Sequence, residues 1–195
     1  MKNWKWGILV LIVILFQSSF AGAQNKYVLD KAKSSLKVTG TSTLHDWHMA
    51  VTDFSGSFTA LFNENMDLVI DAGDFVCDAA SITSDNSLMD DKAHNALKTD
   101  RYKKIEFDLS KATALVVNGG TIDSQIGGQL QISGQKHVAT LPIKGTIDTD
   151  GNVTLKGEVD VKMSDYSIKP PTALMGAVKS GDDVTIHYQF YFLKK

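Results

Sequence analysis

Residues 153–163 read Val-Thr-Leu-Lys-Gly-Glu-Val-Asp-Val-Lys-Met, and this stretch decides the fold of the chain. Every odd position is apolar or glycine, and every even position is polar. A period of two sorts side chains onto the two faces of a β-strand, whereas a helix, with its period of 3.6, would mix them. The stretch therefore predicts a strand with one dry face and one wet face.

The same alternation recurs along most of the chain, and turn signals separate the runs. Asp150-Gly151 and Asn118-Gly119-Gly120 predict hairpin turns, because these residues tolerate positive φ. Gly127-Gly128 is interpreted as a further bend. Pro142 places the strand around it at an edge or a bulge, because proline donates no hydrogen bond to a ladder. The alternating runs lie at 35–39, 57–62, 67–72, 104–109, 129–133, 139–147 and 184–192.

One segment departs from this period and predicts a short helix over 87–99. Its apolar residues Met89, Ala93 and Leu97 recur at helical spacing, and Ser87 with Asp90 forms a helix-start signal. Many short strands joined by turns, with one helix, indicate an antiparallel barrel or sandwich. About eight strands close a barrel that can hold one small ligand. We therefore expect an all-β, lipocalin-like antiparallel β-barrel of about eight strands with a short helical insertion.

The N-terminal residues predict a cleavable signal peptide over 1–23. Lys2 and Lys5 precede an apolar run at 7–16, and Ala21-Gly22-Ala23 supplies the small residues of a cleavage site. The alternative is a membrane anchor, but the apolar run is shorter than the ~20 residues that span a bilayer. The domain is expected over 24–195, exported to the periplasm, with secretion as the alternative destination. No lipid can be attached at the cleavage site, because the chain's only cysteine is Cys77.

Charge and motifs exclude several classes of function. The formal net charge is −2 and no basic stripe appears, so no nucleic-acid partner is expected. His45 and His48 flank Asp46 and Trp47, which suggests a zinc site, but residues three apart on a strand face opposite ways and no third ligand is evident. We favour a polar corner with Trp47 tucked into the barrel end. No catalytic residue, metal ligand or cofactor is predicted, and a metal-dependent enzyme is the least favoured reading.

A second histidine lies on the predicted helix. His94 follows Asp90 by four residues and Asp91 by three, which makes a hydrogen-bonded pair geometrically natural. We expect a role on the helix surface or at a cap.

Three ordered stretches resemble the YceI-like family of bacterial lipid- and polyisoprenoid-binding proteins. The first is Gly40-Thr-Ser-Thr-Leu-His-Asp-Trp47. The second, Met89-Asp-Asp-Lys-Ala-His-Asn-Ala-Leu-Lys98 followed by Tyr102-Lys-Lys-Ile-Glu-Phe107, is similar to "RD-x-H-L … Y-P-x-I-x-F". The third, Gly128-Gln-Leu-Gln-Ile-Ser-Gly134, is similar to "G-x-L-T-I-x-G". The resemblance spans residues 26–193. Asp90, Lys103 and Gln131 depart from the family pattern, which puts the identity of the ligand in doubt.

The resemblance implies an exported, non-catalytic barrel whose long apolar cavity holds a polyisoprenoid or another lipid. Transient contact with a membrane is a separate expectation. The helix at 87–99 would cap one end, and Gly157 is expected to leave the ligand room. The alternative is a solid-cored envelope or stress protein that acts through its surface. The oligomeric state stays open. The inward residues assigned to ligand binding are Leu36, Val38, Phe58, Ile105, Phe107, Leu130, Ile132, Leu141, Ile143, Leu155, Val159, Val161, Ile186 and Phe190.

Overall fold

The structure is a computed structural model that describes residues 24–109 and 111–195. The predicted signal peptide, 1–23, lies outside the described residues, so its cleavage stays a prediction. None of the helices in the described ranges is long and apolar enough to cross a membrane.

Strands dominate the described chain, and one α-helix, α1, spans Ser87–Leu97. The 3-10 turns cover Lys31–Lys33, Ala79–Ser81, Met163–Tyr166 and Leu174–Gly176. The strands are β1 Asn25–Leu29, β2 Ser35–Ser42, β3 Trp47–Val51, β4 Phe54–Phe62, β5 Leu68–Asp78, β6 Ile82–Thr83, β7 Lys104–Leu109, β8 Thr113–Leu115, β9 Val117–Asn118, β10 Thr121–Ile132, β11 Gln135–Ile147, β12 Val153–Lys162, β13 Thr172–Ala173 and β14 Val178–Lys194.

The strands close into an antiparallel barrel of eight members, which confirms the predicted fold class. Strand β14 is long enough to pair β12 along one edge, and β2 followed by β1 along the other. β1 also pairs with β4, and β2 pairs with β3. The short strands β1 and β2 therefore share one strand position in the barrel wall, and β3 and β4 share the next. The ring continues through β5, β7, β10, β11 and β12 back to β14.

The deciding stretch forms β12 as predicted, and Met163 opens the 3-10 turn that follows. All of β12 pairs with β14, from Val153 opposite Phe192 to Lys162 opposite Asp183. Its other edge pairs with β11 only up to Lys144 opposite Lys156. The sheet therefore splits between β11 and β12 beyond this pair, and Pro142 lies at the open edge, as predicted for that proline.

Tyr188 bridges the split from the far side of β12. Its hydroxyl donates a hydrogen bond to the Pro142 carbonyl. The ring passes over Gly157, the cross-strand partner of Tyr188, where a Cβ would lie 2.8 Å from the ring carbon Cζ. The room that Gly157 was expected to leave for a ligand is thus taken by a tyrosine that ties β14 to β11.

Two local expectations are wrong. Gly127-Gly128 is not a bend but lies inside β10, and Gly128 is required because a Cβ would overlap the Phe107 ring. Ala72 does not share a face with Leu68 and Ile70: a bulge shifts the β4–β5 register after Ile70 and leaves Ala72 exposed.

The helix α1 begins at Ser87 as predicted and ends two residues before the predicted end, but its cap lies one residue before the predicted start signal. Asn86 is the N-cap, and its side chain accepts hydrogen bonds from the backbone N–H of Leu88 and Met89. Asp90 instead accepts from the backbone and hydroxyl of Ser84, both at 2.7 Å.

His94 contacts neighbouring β6 rather than forming the pair with Asp90 or Asp91 that its spacing allows. One ring nitrogen of His94 lies 2.8 Å from the Ile82 carbonyl oxygen. The histidine therefore ties α1 to β6, which positions the helix against the wall.

Candidate functional site

An apolar cavity of about 660 Å³ fills the upper part of the barrel. This volume lies within the range of ~300–1,000 Å³ that is typical of small-molecule sites. Every residue assigned to the inner wall from alternation alone does line it: Leu36, Val38, Phe58, Ile105, Phe107, Leu130, Ile132, Leu141, Ile143, Leu155, Val159, Val161, Ile186 and Phe190. Contact with a ligand stays a prediction for all of them.

The lower end of the barrel is packed solid, and we call this layer the floor. It consists of the side chains of Tyr27, Leu68, Leu115, Ile122 and Val153, each 0% exposed. Leu115 lies on β8, which pairs with β5 so that Leu115 stands opposite Leu68. The segment between β7 and β10 therefore folds back and covers this end of the barrel.

An aromatic layer separates the cavity from the floor. The ring of Phe190 lies 5.0 Å from that of Phe75 and 5.7 Å from that of Tyr188. Lower down, Phe58 stacks on Tyr27 at 4.6 Å and meets Phe192 edge to face at 4.8 Å. These centroid distances are those of favourable ring pairs, so the layer is a rigid base for the cavity.

The upper end, which we call the mouth, is formed by the β2–β3 loop at 43–46, by α1 and by residues 163–177. Met89, Ala93, Ala96 and Leu97 of α1 all line the cavity, so the predicted helix caps one end with its apolar face. The Ser133 hydroxyl holds the end of the helix by donating to the Leu97 carbonyl at 3.1 Å.

Segment 163–177 supplies wall residues that sequence reasoning missed. Tyr166 and Ile168 are buried and line the cavity beside the split between β11 and β12. The Tyr166 ring meets His137 of β11 edge to face at 4.9 Å, which closes the gap. This segment has no regular period, so no pattern in it could have indicated inward residues. Val184, Tyr188 and Phe192 were also omitted from the predicted lining, although the alternation of β14 was sufficient to find them.

Polar groups in the cavity lining are concentrated at the mouth. Ser42, His45, Asn86, Lys92 and Ser180 contribute there. Away from the mouth the wall is mostly apolar, with Ser57 and Asp74, which hydrogen-bond to each other at 3.0 Å, as its polar pair. This distribution suits an amphiphile whose chain points inward and whose polar end stays near solvent.

Two ionisable side chains lie deeper and are held neutral by burial. Desolvation, with the nearby Asp78 carboxylate, raises the pKa of the Cys77 thiol to about 12. Desolvation, followed by the nearby Glu158 carboxylate, raises the pKa of the Tyr188 phenol. Neither group ionises at neutral pH, so neither adds a charge to the wall.

The polar corner at 45–48 has the predicted form. Trp47 lies across Gly40, its cross-strand partner, and lines the cavity while its indole N–H donates to the Thr41 carbonyl at 2.9 Å. His45 also reaches the cavity, whereas His48 is exposed. Within 24–109 and 111–195, no three His, Cys, Asp or Glu side chains are grouped so that they could hold a metal ion.

Four large apolar side chains stand exposed around the mouth, and we call them the rim: Leu44, Leu88, Leu174 and Met175. Leu88 and Leu174 also line the cavity. Leu174 and Met175 adopt φ values of 48° and 55°. The left-handed region costs roughly 1–2 kcal/mol for each residue that has a Cβ. The backbone is therefore strained at two residues whose side chains stay largely exposed.

A family model described as a YceI-like domain matches residues 27–192. Among curated protein sequences, none matches the chain. The solved structures that it resembles include Burkholderia cenocepacia BcnA, with 18% identity, a TM-score of 0.64 and coverage of 84% of this chain and 98% of that one.

Two further structures share the fold. A polyisoprenoid binding domain from Saccharophagus degradans, implicated in plant cell wall breakdown, gives 13% identity and a TM-score of 0.63, with 85% and 97% coverage. The Campylobacter jejuni YceI protein gives 16% identity and a TM-score of 0.51, with 72% and 81% coverage.

Proposed function

The chain belongs to the YceI-like domain family, and on that premise we propose that it is an exported protein that binds a long-chain lipid or isoprenoid in its barrel cavity. A single observation carries the proposal. A closed barrel encloses an apolar cavity of about 660 Å³ above a solid floor. The likeness to a polyisoprenoid binding domain of the same fold supports the choice of ligand class.

Hydrophobic transfer supplies the affinity. Each ~100 Å² of apolar ligand surface removed from water contributes about 2.5 kcal/mol, at ~25 cal/mol per Å², before the cost of ordering the ligand. The aromatic layer stops the chain above the floor. The polar end of the ligand stays at the mouth, beside Asn86 and Lys92. Binding is non-catalytic in this proposal, and the ligand leaves chemically unchanged.

The cavity supports the proposal over the alternative of a solid-cored protein that acts through its surface. The core of such a protein would need the inward side chains of the upper barrel to pack against one another. Those side chains instead face shared empty space, as Val159 and Ile186 do from neighbouring strands.

Export is the second part of the proposal. It rests on the basic, apolar and small-residue regions of 1–23. Cell fractionation with N-terminal sequencing tests it: the protein should appear in the periplasmic fraction and begin at Gln24. Retention of residues 1–23 in the cytoplasm would contradict it.

The binding test is solvent extraction of the purified protein followed by mass spectrometry. We expect a long-chain apolar molecule from the wild type, and almost none from Val159→Phe, in which the new ring occupies the cavity. Val138→Phe is the matched control, because Val138 is 80% exposed on the outer surface; it should retain the ligand. Equal yields from the two variants, or no lipid from the wild type, would refute the proposal.

A further inference from the structure

The rim is the largest feature of the mouth that cavity binding leaves unexplained. Leu44, Leu88, Leu174 and Met175 come from three separate segments, and all are exposed. Leu44 and Met175 do not line the cavity, and Leu88 and Leu174 stay largely exposed although they reach it, so cavity binding does not account for this exposed apolar surface.

Hydrogen bonds hold two of these segments together. The Thr43 N–H donates to the Lys179 carbonyl at 2.9 Å, and the Lys179 N–H donates to the Thr43 hydroxyl at 3.1 Å. That hydroxyl donates to the Ala177 carbonyl at 3.3 Å. The loop that carries Leu44 is therefore fastened beside the loop that carries Leu174 and Met175.

The backbone of the second loop directs its apolar side chains outward. Leu174, Met175 and Gly176 all have positive φ, between 48° and 92°. Two bulky residues in the left-handed region are uncommon, and such strain clusters at functional sites. Here the strain produces exposure rather than burial, which points to a partner outside the molecule.

We propose that the rim inserts into the surface of a phospholipid bilayer and that the cavity fills from that surface. The inference rests on the proposed function. The rim is continuous with the cavity, because Leu88 and Leu174 belong to both. A chain that moves from bilayer to barrel through this point stays in apolar surroundings throughout, so it avoids the cost of crossing water.

The charges around the mouth favour a neutral surface. The segments that form the mouth carry four aspartates (Asp46, Asp90, Asp91 and Asp165) and two lysines (Lys92 and Lys169), so they offer no excess of positive charge to anionic headgroups. Insertion depends on apolar area, and affinity for vesicles of pure phosphatidylcholine should change little with added salt.

The test is flotation of the purified full chain with phosphatidylcholine vesicles. The rim variant is Leu44→Asn with Met175→Asn, because neither residue lines the cavity and asparagine tolerates positive φ. Met66→Asn is the matched control, since Met66 is exposed with φ 63° at the opposite end of the barrel. We expect the rim variant to bind vesicles at least tenfold more weakly than the wild type or the control.

A second measurement separates docking from cavity binding. A fluorescent farnesyl probe is presented either on cyclodextrin or in the vesicles. The rim variant should bind the probe from cyclodextrin with wild-type affinity and take it from vesicles at least tenfold more slowly.

Several outcomes would overturn the inference. Wild-type protein that binds the probe from cyclodextrin but does not float would refute docking while leaving the proposed function intact. Flotation without any probe binding would keep docking and refute the cavity function. Wild-type dimers that the rim variant dissociates, with no flotation, would assign the rim to a second copy of the chain and refute docking.

Discussion

The floor and the upper half of the barrel are built from the same strands, yet the first is solid and the second is hollow. The strands β10 and β12 pass through both regions with one unbroken alternation. On β12, Val153 is fully buried in the floor, whereas Val159 on the same face lines the cavity. Strand periodicity therefore determines which side chains point inward, but not whether anything meets them there.

The connections at each end of the barrel determine whether these inward side chains pack against other residues. At the floor, β8 and β9 of the β7–β10 connection pair with β5 and β10, and the buried Leu115 lies opposite Leu68. At the mouth, α1 and segment 163–177 span the opening with their apolar sides toward it. They cover the space without filling it. The connection at the floor therefore fills its end of the barrel, whereas the segments at the mouth enclose a cavity.

The largest test of this comparison truncates one leucine in each interior. Leu68→Ala in the floor should lower the free energy of unfolding by about 3 kcal/mol, because it opens a void in a packed layer. Leu141→Ala in the cavity wall should cost about 1 kcal/mol, because that side chain already borders empty space. Urea unfolding measures both variants. Equal losses would mean that the upper half is packed like the floor.

The next test enlarges a side chain in each interior. Ile122→Phe in the floor should lower the free energy of unfolding by about 2 kcal/mol, because overpacking a filled core forces its neighbours out of position. Val159→Phe should leave stability near that of the wild type, because its ring enters the cavity. Thermal unfolding in the absence of lipid gives the comparison. A Val159→Phe protein as unstable as Ile122→Phe would remove the case for a cavity.

The barrel and its inner wall were predictable from sequence because alternation is a local property of each strand. The hairpin turns at Asn118-Gly119-Gly120 and Asp150-Gly151 were predictable for the same reason, and their glycines do have positive φ. Ala72 and Gly128 were misplaced because their roles depend on a partner strand. The alternation around Ala72 does not reveal the bulge in the β4–β5 pairing. The alternation around Gly128 does not reveal the Phe107 ring that lies against it from the neighbouring strand.

The cavity itself was not predictable from composition. Apolar inward residues suit a filled barrel and a hollow one equally well, and only the family resemblance favoured the hollow form. Tyr166 and Ile168 could not be found because their segment has no period. Met89 and Leu97 could have been added to the lining, since their helical spacing already indicated one apolar face.

A smaller test concerns the two tyrosines buried in the two regions. Tyr188→Phe removes the hydroxyl that satisfies the Pro142 carbonyl at the split between β11 and β12, so it should lower the free energy of unfolding by about 1 kcal/mol. Tyr27→Phe in the floor is the matched control. The Tyr27 hydroxyl has no hydrogen-bond partner among the described residues, so its loss should not destabilise the protein. The tie across β12 would be refuted if both variants unfolded at the wild-type urea concentration.

The smallest expected effect is acid titration of one carboxylate at each end. Asp182 at the mouth accepts from the hydroxyl of Ser164 at 2.5 Å and from its N–H at 2.9 Å, and these bonds lower the pKa of Asp182. Asp148, in the turn after β11, has its pKa lowered first by hydrogen bonds from the Asn152 side chain. Because both pKa values are depressed by folding, these bonds stabilise the protein above the unfolded pKa of ~3.9 and are lost as pH falls through the folded values.

Amide NMR shifts should therefore show Ser164 and Asn152 titrating with midpoints below ~3.9. In Asp182→Asn the transition at Ser164 should disappear, while the transition at Asn152 persists. Loss of both transitions in that variant would mean that the two ends of the barrel titrate as one unit. Independent transitions would show that the mouth loosens in acid without help from the floor, as expected if the connections at each end determine its properties separately.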